Sequence, residues 1–191
     1  VACGASAGIA SAYNAPIAGS FFVAEIILGT IAMESLGPLA ISAVVAALTV
    51  RVLTNAQQLY QVPAFKLGSP WEMLPYVVLG LIAGTLAPWF LRSLRSAEKL
   101  FVATTMPHIA RLILGGIVVG DLAVFYPEVC GNGYTVVVSI LNGHIVWYLL
   151  IPIMLAKWLA TASSFGSGAP GGVFTPSLFM GAITGDLFGK A

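Results

Sequence analysis

The sequence predicts an all-α integral membrane protein, and three observations carry that prediction. Of the 191 residues, 59% are apolar and only 8% are charged, whereas about a quarter of a soluble domain is charged. Mean hydropathy is +0.97. Eight basic and seven acidic side chains cannot clothe a chain of this length in water, and they fall mainly at the ends of long uncharged runs. The same figures exclude other classes. A net charge of +1 with no basic cluster leaves no nucleic-acid surface, and disorder requires low hydrophobicity. Cys3 and Cys130 are distant in sequence and set among apolar residues, which predicts neither a disulfide framework nor a zinc site. The chain opens at Val1 rather than Met and closes within a pattern at Gly189-Lys190-Ala191, so it reads as a piece of a longer protein without a signal peptide of its own.

The elements follow in order. Residues 1–53 read as three helices at about 1–13, 15–28 and 34–53, with Asn14 placed to cap the second and Pro16 in its first turn. Residues 54–72, rich in Asn, Gln, Pro and Gly, read as an extramembrane loop. From Met73 to Leu91 the chain is uncharged for long enough to span a bilayer, and Arg92, Arg95, Glu98 and Lys99 form the polar end of that helix. Ile109 to Phe125 is the next span. Two longer uncharged runs follow on either side of Lys157. They are broken at Gly131-Asn132-Gly133, at Asn142-Gly143 and over Gly166 to Gly172. Non-helical backbone at membrane depth survives only where protein or water covers it, and broken helices build ion and solute sites.

Charge also predicts topology. Arg92, Arg95, Lys99 and Arg111 are half of the basic residues and mark a cytoplasmic segment, while Asp121 to Tyr134 carries only Asp121 and Glu128 and faces out. Glycines four apart, at Gly4/Gly8, Gly80/Gly84, Gly116/Gly120, Gly181/Gly185 and Gly185/Gly189, predict close helix packing within a compact body.

The strongest candidate site is Gly166-Ser167-Gly168-Ala169-Pro170-Gly171-Gly172-Val173-Phe174-Thr175-Pro176. Its glycines and Pro170 forbid helix, Pro176 suits a first helical turn, and a helix is expected from near Val173 to about Gly189. The first amides of a helix lack intrahelical acceptors and carry the positive end of its dipole. An extended turn feeding such an end is an anion site made of backbone, at which partial charges hold an ion without trapping it. These residues alone leave a second reading equally open, a tight interhelical turn whose glycines serve packing.

Other candidates read more plainly. Glu25 closes an apolar helix and is either a buried functional carboxylate or, the favoured reading, a residue that pairs with another helix or reaches the interface. Lys157 interrupts an apolar span and either biases anions toward a pore or snorkels as a structural residue, the latter being favoured. His108 and His144 lie in turn-like contexts without metal-ligand spacing, so no metal is expected. Gly4-Ala5-Ser6-Ala7-Gly8 fits a hydrolase nucleophile elbow, but that motif needs a soluble strand–turn–helix. Ser167 invites an intramembrane protease reading and lacks a histidine partner, so both hydrolase readings are remote and no enzyme is expected.

Gly168-Ala169-Pro170-Gly171-Gly172-Val173-Phe174-Thr175-Pro176 resembles the GxFxP anion-filter motif of the CLC chloride channel and transporter family. Gly4 to Gly8, Tyr13-Asn14-Ala15-Pro16-Ile17-Ala18-Gly19 and Glu25 resemble the segment after that family's gating glutamate, and Gly131-Asn132-Gly133-Tyr134 falls at its glycine-rich loop before the filter helices. The resemblance runs over essentially the whole chain, nearest to the bacterial voltage-gated-type subgroup. It implies two inverted repeats of tilted, broken helices. Residues 1–53 would end the first repeat and 73–191 would begin the second. It further implies a homodimer joined through 15–53, a bacterial inner (plasma) membrane, chloride and similar anions as permeant ligands, and no cofactor. Chloride would meet backbone amides in the loop formed by Gly171, Gly172, Val173, Phe174 and Pro176, with those of Val173 and Phe174 coordinating it. Proton-coupled members tend to carry a glutamate after the position of Glu25, where this sequence has Ile26. Because isoleucine cannot ionise, the resemblance favours passive conduction, with chloride/proton antiport as the alternative.

Overall fold

A computed structural model describes residues 1–54 and 69–190, which divide into two compact units, Val1–Gln61 and Val62–Ala191. Among the described residues all regular structure is helical. Most of the expected extramembrane loop lies outside the described residues; its end, Pro70–Glu72, is a short 3₁₀ turn. Among the described residues four helices are long and apolar enough to cross a bilayer: Met33–Thr54, Met73–Ala103, His108–Phe125 and Trp147–Ser167. The chain is an integral membrane protein.

The first unit packs α1 (Ala2–Tyr13), α2 (Pro16–Ile26) and α3 (Met33–Thr54) against one another. Val23, Ala24 and Leu39 form its core, covered by Ala2, Ala5, Ile9, Phe22 and Leu36. Asn14 does not cap α2 as the sequence predicts. It closes α1 instead, in the left-handed conformation at φ 51°, with its N–H donating to the Ala10 carbonyl. Asparagine tolerates that conformation, and the following α2 begins at Ala15–Pro16 without a side-chain cap. Gly19 then lets α2 approach α1 closely, since a Cβ there would stand 3.1 Å from the Ala10 nitrogen.

The second unit is organised by one helix. It contains α4 (Met73–Ala103), α5 (His108–Phe125), α6 (Tyr134–Leu141), α7 (Trp147–Ser167) and α8 (Phe174–Lys190). α7 packs against α4, α5 and α8, and α6 packs against α8. The burial pattern follows: α4 buries only Phe90 and Leu94 and α5 only Gly115, while α7 buries Leu150, Ile153, Ala156, Lys157, Ala160, Gly166 and Ser167. Trp158 fastens α7 to α4. Its Nε1 donates to Ser93 Oγ at 2.6 Å, and its ring meets Trp89 and Phe90 edge-on at centroid distances of 5.6 and 5.5 Å.

The glycines that bring helices together are not the ones spaced by four. A Cβ at Gly4, Gly8, Gly80, Gly84, Gly116, Gly120, Gly181, Gly185 or Gly189 would meet nothing within 4 Å. The close approaches use isolated glycines: Gly115 against Ser167, and Gly166 against the backbone of Ala97 and the ring of Phe101. Spacing reports which glycines share a helix face, not whether a neighbouring helix of the same unit lies within contact of that face.

Candidate functional site

The candidate site is the passage from α7 to α8. α7 ends because Gly168 adopts φ 82°, a conformation that favours glycine. Gly168 N–H then donates to Phe165 O at 3.1 Å and Ala169 N–H to Ser164 O at 3.2 Å, which satisfies two of the helix's last carbonyls. Pro170 prevents continuation. The chain runs without helix through Gly172 and Val173, and α8 starts at Phe174, one residue beyond the expected start. Ser177 N–H donates to Val173 O at 3.0 Å, which sets the first turn, and Ser177 Oγ donates to Phe174 O at 2.7 Å. Pro176 lies in that turn, where an amide hydrogen has no i−4 acceptor.

Gly171, Gly172 and Phe174 are exposed, while Val173 and Pro176 are half-buried. The positive end of the α8 dipole therefore opens onto a surface of this unit. His108 closes one side of the turn, since a Cβ at Gly168 would stand 3.1 Å from His108 Nε2. The turn thus lies at the same end of the unit as the start of α5 and Arg111. The sequence placed His108 in a polar turn; its contact with Gly168 has no signal in the spacing.

Beside the turn, α4, α7 and α8 line a partly open pocket of about 450 Å³ bordered by Val173, Ser177, Phe90, Met154, Trp158 and Met180, among others. Its polar groups are Ser177 and Thr184, and both hydroxyls donate to carbonyls of their own helix. It is an apolar space beside the turn, unsuited to hold an ion.

The remaining candidates separate. Lys157 does not snorkel. Its side chain is only 4% exposed, and Nζ donates to Val129 O and Gly131 O, each at 2.7 Å. The ammonium also lies 5.6 Å from the centroid of the Phe179 ring. Phe179 is fully buried on α8, and a Cβ at Gly133 would stand 2.6 Å from it. Sequence reasoning missed Phe179, which looks like one more apolar residue on the helix. Glu25 is exposed on the first unit, whose helices do not bury its charge, and Ile26 beside it is 64% exposed. The helix has turned both outward at its last turn. Ser6 Oγ donates to Leu39 O at 3.2 Å and Ser167 Oγ to Ser164 O at 2.9 Å, so both serines serve backbone carbonyls. Cys3 and Cys130 are free and exposed. Among the described residues no cluster of His, Cys, Asp and Glu could hold a metal ion.

The sequence pattern of the family described as voltage gated chloride channel matches residues 1–191. A protein of Ralstonia nicotianae named putative chloride channel protein ClcB-like is 49% identical over 99% of this chain and 44% of its own length. Proteins named voltage-gated ClC-type chloride channel ClcB are 44% identical in Citrobacter koseri and 41% identical in Escherichia coli, over 100% of this chain and 46% of each relative. The chain therefore spans less than half the length of the curated relatives it matches. These relatives are named as channels, and the family is one of channels rather than enzymes. Matched by the family's pattern along its whole length, through the very turn that opens α8, this chain belongs to the voltage-gated chloride channel family.

Proposed function

We propose that this chain forms the filter-bearing part of a chloride-conducting pore, in which backbone amides at the start of α8 receive the permeating anion. The observation that carries the reading is the exposed pair Gly171 and Gly172, followed by half-buried Val173, leading into a 17-residue helix that begins at Phe174. Such an end offers N–H dipoles and about half an elementary positive charge. It attracts an anion by partial charges alone, which permits rapid release. The channel names of the relatives agree with chloride as the ion. Gly171, Gly172, Val173, Phe174 and Pro176 make one wall of the site, and the rest of the longer protein would supply the others.

Conduction in this reading is passive. Ile26 stands where proton-coupled members of the family tend to carry a glutamate, and an aliphatic side chain can relay no proton. Antiport is the alternative, by a water path past Ile26. The protein would work as a homodimer joined through residues 15–53, in a bacterial inner membrane. The exposed apolar side chains of Ile27, Ile41, Val45 and Val52 within that stretch support a partner or lipid there.

The test uses the full-length parent protein in liposomes, with proton movement recorded while a chloride gradient runs down. Chloride flux without coupled proton movement is the expected result. Uphill proton movement would establish antiport, and absence of chloride flux in folded protein would defeat the assignment.

A further inference from the structure

An ammonium group buried inside a membrane-spanning helix is costly, and apolar residues of similar volume often replace buried charges without loss of stability. Packing alone does not call for Lys157. Among the described residues it has no carboxylate partner, the ion pair there being Lys190 with Asp186. Its compensation comes from two carbonyls and an aromatic face, and these belong to different elements. Val129 ends the 3₁₀ turn Pro127–Val129, Gly131 lies in the link to α6, and Phe179 belongs to α8. Phe179 is held from a second direction by Gly133, whose φ of +72° and lack of a side chain allow the ring to lie against the backbone.

We propose that Lys157 is a positioning residue for the anion site: by joining the 129–131 turn to the Phe179 ring, it sets where the amide end of α8 stands. The inference rests on the reading of that end as the chloride site. Phe179 follows Phe174 by five residues, roughly 7.5 Å along the helix axis. Between the two lies only a turn and a half of helix, which is stiff over that length. A shift of the Phe179 ring is therefore delivered to the amides of Val173 and Phe174. The ammonium approaches the ring through its quadrupole, so the contact has a preferred geometry that an apolar neighbour would lack.

The ratio of nitrate to chloride flux tests this in the full-length parent protein in liposomes, because it reads filter geometry independently of how much protein is folded. Lys157→Met and Phe179→Leu are each expected to move the ratio in the same direction, by roughly threefold or more. Leu159→Ala, at an exposed position on the same helix, is expected to leave it unchanged. An unchanged ratio in both folded variants would overturn the proposal. So would a shift in Lys157→Met alone, which would assign the lysine a field effect instead of a positional one. Should Lys157→Met fail to fold, Phe179→Leu decides by itself. Absence of chloride flux in the unmodified protein is a separate outcome: it defeats the proposed function and this inference with it.

Discussion

Gly115 of α5 lies so close to Ser167 of α7 that a Cβ at the glycine would stand 2.5 Å from both Cβ and Oγ of the serine. Its neighbour Gly116 faces open space. Gly115→Ala must therefore push α5 off α7, whereas Gly116→Ala adds a good helix former to an unencumbered surface. Overpacking of this kind costs about 1–3 kcal/mol. Thermal unfolding in detergent is expected to show a clear loss for Gly115→Ala and none for Gly116→Ala. Equal behaviour of the two would mean that α5 and α7 do not meet through Gly115.

Gly131 and Gly133 offer a second internal comparison. Both hold positive φ, at +62° and +72°, but only Gly133 has a neighbour, the Phe179 ring. Alanine at either position forces a left-handed conformation at about 1 kcal/mol. Gly133→Ala adds a collision with a fully buried ring and should cost about 1–3 kcal/mol more. The same thermal assay ranks the pair, and a loss no greater for Gly133 would remove the proposed seat of Phe179.

Ser6 and Ser167 distinguish a backbone pore from serine chemistry. Each hydroxyl donates to a carbonyl, Leu39 O and Ser164 O respectively. In the full-length protein the double variant Ser6→Ala/Ser167→Ala should keep chloride flux within about twofold, while losing about 1 kcal/mol of stability for each buried hydrogen bond. Loss of chloride flux with the fold intact would mean that a serine hydroxyl, and not backbone alone, takes part in conduction.

These comparisons also show where the sequence was informative. Helices longer than a bilayer is thick declare themselves through uncharged runs, and the breaks at Gly168 and Pro170 declare themselves through residue types that forbid helix. α8 begins within one residue of the expected position because Pro170 and Pro176 bracket it. Partnerships are another matter. Asn14 suits both the end of α1 and the start of α2, and only the packing of Gly19 on Ala10 requires a turn tight enough to favour the left-handed form. Lys157 illustrates the same point. Its position in an apolar run leaves open a field on a pore or a snorkelling structural residue, whereas its burial depends on carbonyls supplied from a turn 26 to 28 residues earlier. Sequence spacing within a helix carries no record of such partners.

Ser177 allows the electrostatic claim to be separated from every structural one. It is exposed in the first turn of α8, beside Val173 and Phe174. A carboxylate there interacts favourably with the helix dipole, so Ser177→Glu should gain stability by about 0.3–1 kcal/mol, less what is lost with the hydroxyl's own hydrogen bond. The same carboxylate would repel an anion approaching those amides, and chloride flux should fall by roughly tenfold. Ser177→Gln, nearly identical in shape but uncharged, should retain most of the flux. The deficit of the Glu variant should shrink as salt is raised, because the charge is partly solvated. Stability and conduction are thus expected to move in opposite directions upon a single change of charge. If both variants lose flux equally, the loss is steric; if neither does, the anion does not pass the start of α8.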